Sequence, residues 1–215
     1  MNPFRAVVEG NADALEAALD KDPSLAGDAN ADGVSLLRWA LYHGRRDLAD
    51  AILAHDPPLD VFDAAAIGRA ERLSKVVHHD RSLASARSSD GFTPLHLAAF
   101  LGTAECAAIL LSVGADPAAV ASGPMMVQPL HSAAAAANVD VARLLLDAGA
   151  PVDATQSGGF TPLHAAARSG NVPLVDLLLD RGADVSRATD AGQTAADLAA
   201  DAGHADLSTR LRAPA

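Results

Sequence analysis

The chain has 215 residues, half of them apolar, enough to bury a sizeable core in one large domain or two small ones. Its 16 Lys and Arg against 27 Asp and Glu leave a net charge of −11, which argues against nucleic acid, whose phosphates would be repelled, and does not favour an anionic membrane surface. The single cysteine, Cys106, excludes an intramolecular disulfide and a thiolate-based zinc site, and the longest apolar runs fall far short of a membrane span. Ala and Leu dominate the apolar share, which favours an all-helical chain. The N-terminal MNPFRAVVEGNADALEAALD has no basic segment followed by a long apolar run, so the expectation is a cytoplasmic protein.

In chain order, the first helical pair is expected around Gly10, with Glu9, Asp13, Glu16 and Asp20 giving it the polar face of a cap; DPSLA (Asp22–Ala26) follows. Next comes GVSLLRWALYHGRRD (Gly33–Asp47). The stretch HDPPLDVFDAAAIG (His55–Gly68) leads into a third pair closed by DRSLA (Asp80–Ala84). GFTPLHLAAFLG (Gly91–Gly102) opens a fourth, VQPLHSAAAAANVD (Val127–Asp140) a fifth, GFTPLHAAARSG (Gly159–Gly170) a sixth and QTAADLAADAGHAD (Gln193–Asp206) a seventh. The glycine nine residues after the Thr position is a ruler: Gly10, Gly44, Gly68, Gly102, Ala137 in a glycine's place, Gly170 and Gly203. Its steps are 34, 24, 34, 35, 33 and 33. The approximate units are 1–27, 28–57, 58–86, 87–118, 119–153, 154–186 and 187–215. The short step means that about ten residues of connector are missing before the third unit, which predicts a notch beside Tyr42 and Arg45 or a harmless deletion patched by Pro57 and Pro58.

Within the sixth unit, Thr161 before Pro162 predicts an N-cap with proline at the first helical position. Leu163, Ala166 and Ala167 recur at helical spacing, and Gly170 ends the helix by adopting positive φ. Asn171 caps a second helix whose apolar stripe is Val175, Leu178 and Leu179. One helical hairpin buries too little to offset its ordering entropy, so the units must stack into a solenoid. The last unit's polar second helix, in HADLSTRLRAPA, suits a terminal cap.

TPLHLAA, TPLHAAA, the glycine, the LLxxGAD ending and the period resemble ankyrin repeats over essentially the whole chain, closely from Ser88 to Asp184 and loosely before it. The resemblance implies an all-α solenoid of helix–turn–helix units with β-turn loops between them. It also implies that His96, His131 and His164 hydrogen-bond near a helix start and to the adjoining loop. Spaced about 10 Å apart, one per unit, they are too far apart to share a metal.

Adjacent His78 and His79 do not share a helix face, His55 beside Asp56 reads as loop, and Cys106 reads as a small core residue. No phosphate-binding loop, H-E-x-x-H helix, nucleophile elbow or EF-hand occurs. The expectation is therefore a protein without cofactor, metal or catalytic residues. The resemblance implies a protein partner bound on the concave face and loop tips. The residues placed there are Tyr42, Ile67, Phe92, Phe100, Leu101, Met125, Met126, Phe160 and Arg168, with the Met-containing loop beside aromatics as the centre. Packing within the monomer is the competing reading of these side chains. A monomer binding a protein partner, neither nucleic acid nor membrane, is the leading functional reading. Self-association through the same patch is the first alternative, and a metal site or enzyme hidden in the solenoid is the second.

Overall fold

A computed structural model describes residues 2–213. Those residues form fourteen α-helices in seven pairs: α1 Pro3–Glu9 with α2 Ala12–Lys21, α3 Leu36–Tyr42 with α4 Arg46–Leu53, α5 Val61–Ala66 with α6 Ala70–His79, and α7 Pro94–Phe100 with α8 Ala104–Ser112. The remaining pairs are α9 Pro129–Ala135 with α10 Val139–Asp147, α11 Pro162–Arg168 with α12 Val172–Asp180, and α13 Ala195–Asp201 with α14 Ala205–Arg212. The odd-numbered helices stack on one another as one row of an all-α solenoid, and the even-numbered helices lie behind them. No described helix is long and apolar enough to cross a membrane.

Local chemistry sets each pair. Thr161 caps α11, its hydroxyl accepting from the His164 N–H at 3.4 Å, and Asn171 caps α12 through the Leu174 N–H at 3.1 Å. The stretches after Asp22 and Asp80 each form a 3-10 turn, closed by a carboxylate that accepts from the Ser24 or Ser82 hydroxyl at 2.6 Å. Leucines at the second position after the cap, Leu95, Leu130 and Leu163, are buried, as are the second-helix Leu110, Leu145 and Leu178. Between them the paired alanines Ala98–Ala99, Ala133–Ala134 and Ala166–Ala167 let backbones approach closely.

The ruler positions do two different jobs. Gly44 adopts φ 68° with open space where a Cβ would stand, and Ala137 takes the same left-handed conformation at φ 56°. Gly102 is different: a Cβ there would lie 2.2 Å from the Ala65 carbonyl oxygen and 2.9 Å from the Ala98 Cα, so it is needed for close approach of α5 and α7. Gly102→Ala is expected to cost about 3 kcal/mol by overpacking against backbone that cannot yield. Gly44→Ala should cost about 1 kcal/mol, the strain of the conformation alone. Urea unfolding of the two variants checks the order.

The loops between pairs end in tips, three carrying an isolated antiparallel bridge: Ala29 with Ser35, Gln156 with Phe160 and Ala188 with Thr194. Neighbouring tips are joined by backbone bonds, Ser122 N–H to the Gly91 carbonyl, Ser157 N–H to Met125 and Asp190 N–H to Gly158, each near 3 Å. The third pair has no such tip, because the chain runs from Ala54 through Pro57 and Pro58 straight into α5. Pro58 packs against Gly27, where an added Cβ would be 2.9 Å from the ring. Beside Tyr42 and Arg45 the packing favours the patched deletion over the notch. The tip of the fourth pair closes over the gap, with Ser89 against Gly33 of the second pair, and Arg45 lies against Gly10.

Candidate functional site

Both ring nitrogens of the recurring histidines are occupied. His96 Nδ1 accepts from the Thr93 N–H at 3.3 Å and the Thr93 hydroxyl at 2.8 Å, and its Nε2–H donates to the Val127 carbonyl at 3.0 Å. His164 repeats this with Thr161 and the Arg187 carbonyl, the latter at 3.1 Å. His131 accepts from the Gln128 N–H and donates to the Ala154 and Phe160 carbonyls. Each ring thus ties a helix start to the next loop. Each also stays neutral: burial lowers the pKa of all three, in His96 to about 4, with the Val127 carbonyl opposing and nearby Arg87 reinforcing the shift. No nitrogen is free for acid–base chemistry. Cys106 is fully buried and its thiol pushed up, first by burial. Among the described residues, no group of three or more His, Cys, Asp or Glu side chains could hold a metal ion.

The solenoid does present a cleft of about 440 Å³ with almost wholly apolar walls. Its floor is the outer surface of His96, Leu97, His131 and Ser132 on α7 and α9. Phe92, Met125 and Val127 line it from the loops before α7 and α9, and Phe100 and Ala135 from the ends of those helices. Tyr42 closes one end and Gln156 the other. Phe100 is 44% exposed and Met125 55%, unusually high for large apolar side chains. A second hollow of about 210 Å³ continues past Gln156, with Phe160, Ala165, Arg168 and Ser169.

Tyr42, Phe92, Phe100 and Met125 are therefore brought together, and Phe160 and Arg168 line the continuation. Ile67, Leu101 and Met126 stand apart. Ile67 lies in a separate hollow with Arg46 and Leu53, and Leu101 packs against the core. Successive residues on a helix point about 100° apart, so Tyr42, Phe100 and Ala135, two before the ruler position, line the cleft while Leu101, one before it, does not. Met126 is exposed with φ 51°, outside the cleft's walls.

A buried ionic cluster was not anticipated. Arg38, 3% exposed, donates from Nε to Asp63 Oδ1 at 2.9 Å, with Asp60 at 3.6 Å and Asp90 at 3.9 Å. Asp63 also accepts from the Ser35 hydroxyl at 2.6 Å, and the Tyr42 hydroxyl donates to Asp90 Oδ2 at 2.7 Å. Burial, then the neighbouring Asp60, push the Asp63 carboxyl above its usual range. The signal was in the sequence: Arg38 and Asp63 each stand three residues after a cap, Ser35 and Asp60, where other units carry histidine. A histidine at 38 would find no third-unit tip to bond, and the longer guanidinium reaches a carboxylate on α5 instead.

Comparison with known families matches residues 130–179 and 163–211 to the model described as ankyrin repeats (many copies), and residues 90–122 to the ankyrin repeat model. The matched segments cover more than half of the chain. A comparison with curated proteins gave no match.

Proposed function

The chain belongs to the ankyrin-repeat family, and we propose that it is a non-enzymatic module that binds a protein partner through the cleft between Tyr42 and Gln156. Ankyrin repeats are generally protein–protein interaction modules. The observation that carries the proposal is the pairing of exposed Phe100 and Met125 over a cleft whose histidines have no nitrogen left for chemistry. Adaptable methionine beside aromatic rings is the composition of a binding hot spot. The hollow with Phe160 and Arg168 extends the same surface.

Phe100→Ser with Met125→Ser is expected to weaken capture of the partner from the native cell extract by at least tenfold, while the melting temperature stays near wild type because both side chains are exposed. Unchanged capture by the folded variant would remove the cleft from the proposal. The same exposed side chains support a second reading, a homodimer. Light scattering over a hundredfold range of concentration distinguishes it by a rise in mass that the double variant abolishes.

A further inference from the structure

We infer that the cleft is a socket for one large uncharged side chain of a partner segment with Lys or Arg where it passes Tyr42, and that Tyr42, latched by Asp90, sets its length. This rests on the cleft being the partner site. The loss of the third tip is what makes the socket. Had the third unit kept a tip, that tip would stand between those of the second and fourth units. Instead Ser89 touches Gly33, and the Tyr42 hydroxyl reaches Asp90 directly at 2.7 Å. A tyrosine of the second unit therefore walls a cleft whose other sides come from the fourth, fifth and sixth. Asp90 is itself fixed, accepting from the Ser88 hydroxyl and lying 3.9 Å from Arg38 Nη1. The phenol ring is thus tethered at its far end.

Charge complementarity defines the occupant. No Asp, Glu, Lys or Arg lines the cleft. His96 and His131 spend their ring nitrogens on backbone groups, and the Tyr42 hydroxyl is spent on Asp90. A charged group entering would lose its water and find only the Gln156 amide and the Ser132 hydroxyl, whereas an apolar one gains in proportion to the area it covers. At the Tyr42 end Asp60, Asp63 and Asp90 surround the single Arg38, and the whole protein carries −11, so a cationic residue is drawn to that end, whereas Arg168 stands past Gln156 at the other.

The test is selection of a random dodecapeptide library on the full chain, followed by anisotropy titration of labelled selected peptides against wild type and Phe100→Asp. The expected peptides carry a single Leu, Met, Phe or Trp anchor with basic residues on one side of it. Their affinity should fall at least tenfold with Tyr42→Ala and about threefold with Tyr42→Phe, which keeps the ring and loses the tether. It should fall with added salt and be unmoved by Met126→Ser. Acidic or polar anchors, or no enrichment, would overturn the socket. Peptides whose binding survives Phe100→Asp would instead remove the cleft as the partner site. Sensitivity to Phe100→Asp without sensitivity to Tyr42→Ala would leave that site standing and sink the latch.

Discussion

Replacing Arg38 with alanine is expected to lower the unfolding free energy by about 3–5 kcal/mol at pH 7, the cost of leaving a buried carboxylate without its partner. Asp63 is 4% exposed, sits beside Asp60, and would keep only the Ser35 hydroxyl as a donor to its carboxylate. The cost should shrink at pH 5. Without the guanidinium, the Asp63 pKa rises further above its unfolded value, so the folded variant takes up a proton and recovers stability as pH falls. Denaturant unfolding of both proteins at each pH isolates this, because contributions from groups elsewhere cancel in the difference. Two further variants separate charge from packing. Arg38→Met with Asp63→Leu should lie nearer wild type than Arg38→Ala, since no unpaired charge remains. Arg38→His should rescue little, because the third unit has no tip carbonyl for an imidazole to reach. A loss below about 1 kcal/mol for Arg38→Ala would mean that water or Asp60 rearrangement satisfies the site, and that the cluster does not secure the second unit to the third.

The helices and their caps were legible because the interactions that set them are local. Thr161, Pro162 and Asn171 act within one turn, and the period exposed Ala137 as a stand-in for glycine. The histidine straps were implied by the family's motif, and the geometry places each one there. The cleft was legible only in part. Counting from the ruler treats every unit alike, and it put Ile67 beside Tyr42 and Leu101 beside Phe100 on one face. Helical rotation separates each pair, and only knowledge of where α5 and α7 end decides which residue turns outward. The missing connector was visible as a short step, yet its consequence was not, because closing the gap depends on contacts between units 48 residues apart, such as Tyr42 with Asp90. The same holds for Arg38 and Asp63, 25 residues apart, where two departures from the repeat explain each other only once they are seen to meet.

The wild-type protein should lose stability steeply as pH falls from about 6.5 toward 4. In the unfolded chain the three strap histidines titrate near 6.5. In the folded chain burial lowers all three, His96 to about 4, so between those values the unfolded state holds more protons than the folded state and stability rises with pH. His96 alone contributes about 3 kcal/mol over this window at roughly 1.4 kcal/mol per pH unit. That contribution is fully present above pH 6.5 and gone by pH 4. The geometry gives the same sign. Protonating Nδ1 would set a new N–H against the Thr93 N–H that it now accepts, breaking the cap of α7 and releasing the Val127 carbonyl from its strap. Unfolding should therefore take up between one and three protons near pH 5, measurable as the slope of unfolding free energy against pH. His96→Asn should lower stability at pH 7 but reduce that slope by about one proton. A slope unchanged by the substitution would show that His96 is protonated in the fold, and that the straps are cationic rather than neutral. The two pH dependences oppose each other, the histidines favouring folding at high pH and a carboxyl left without Arg38 favouring it at low pH. The narrowing gap between wild-type and Arg38→Ala profiles toward acid thus reports the charge that fastens the second unit to the third, while the slope the two profiles share reports the neutral rings that fasten the later units to one another.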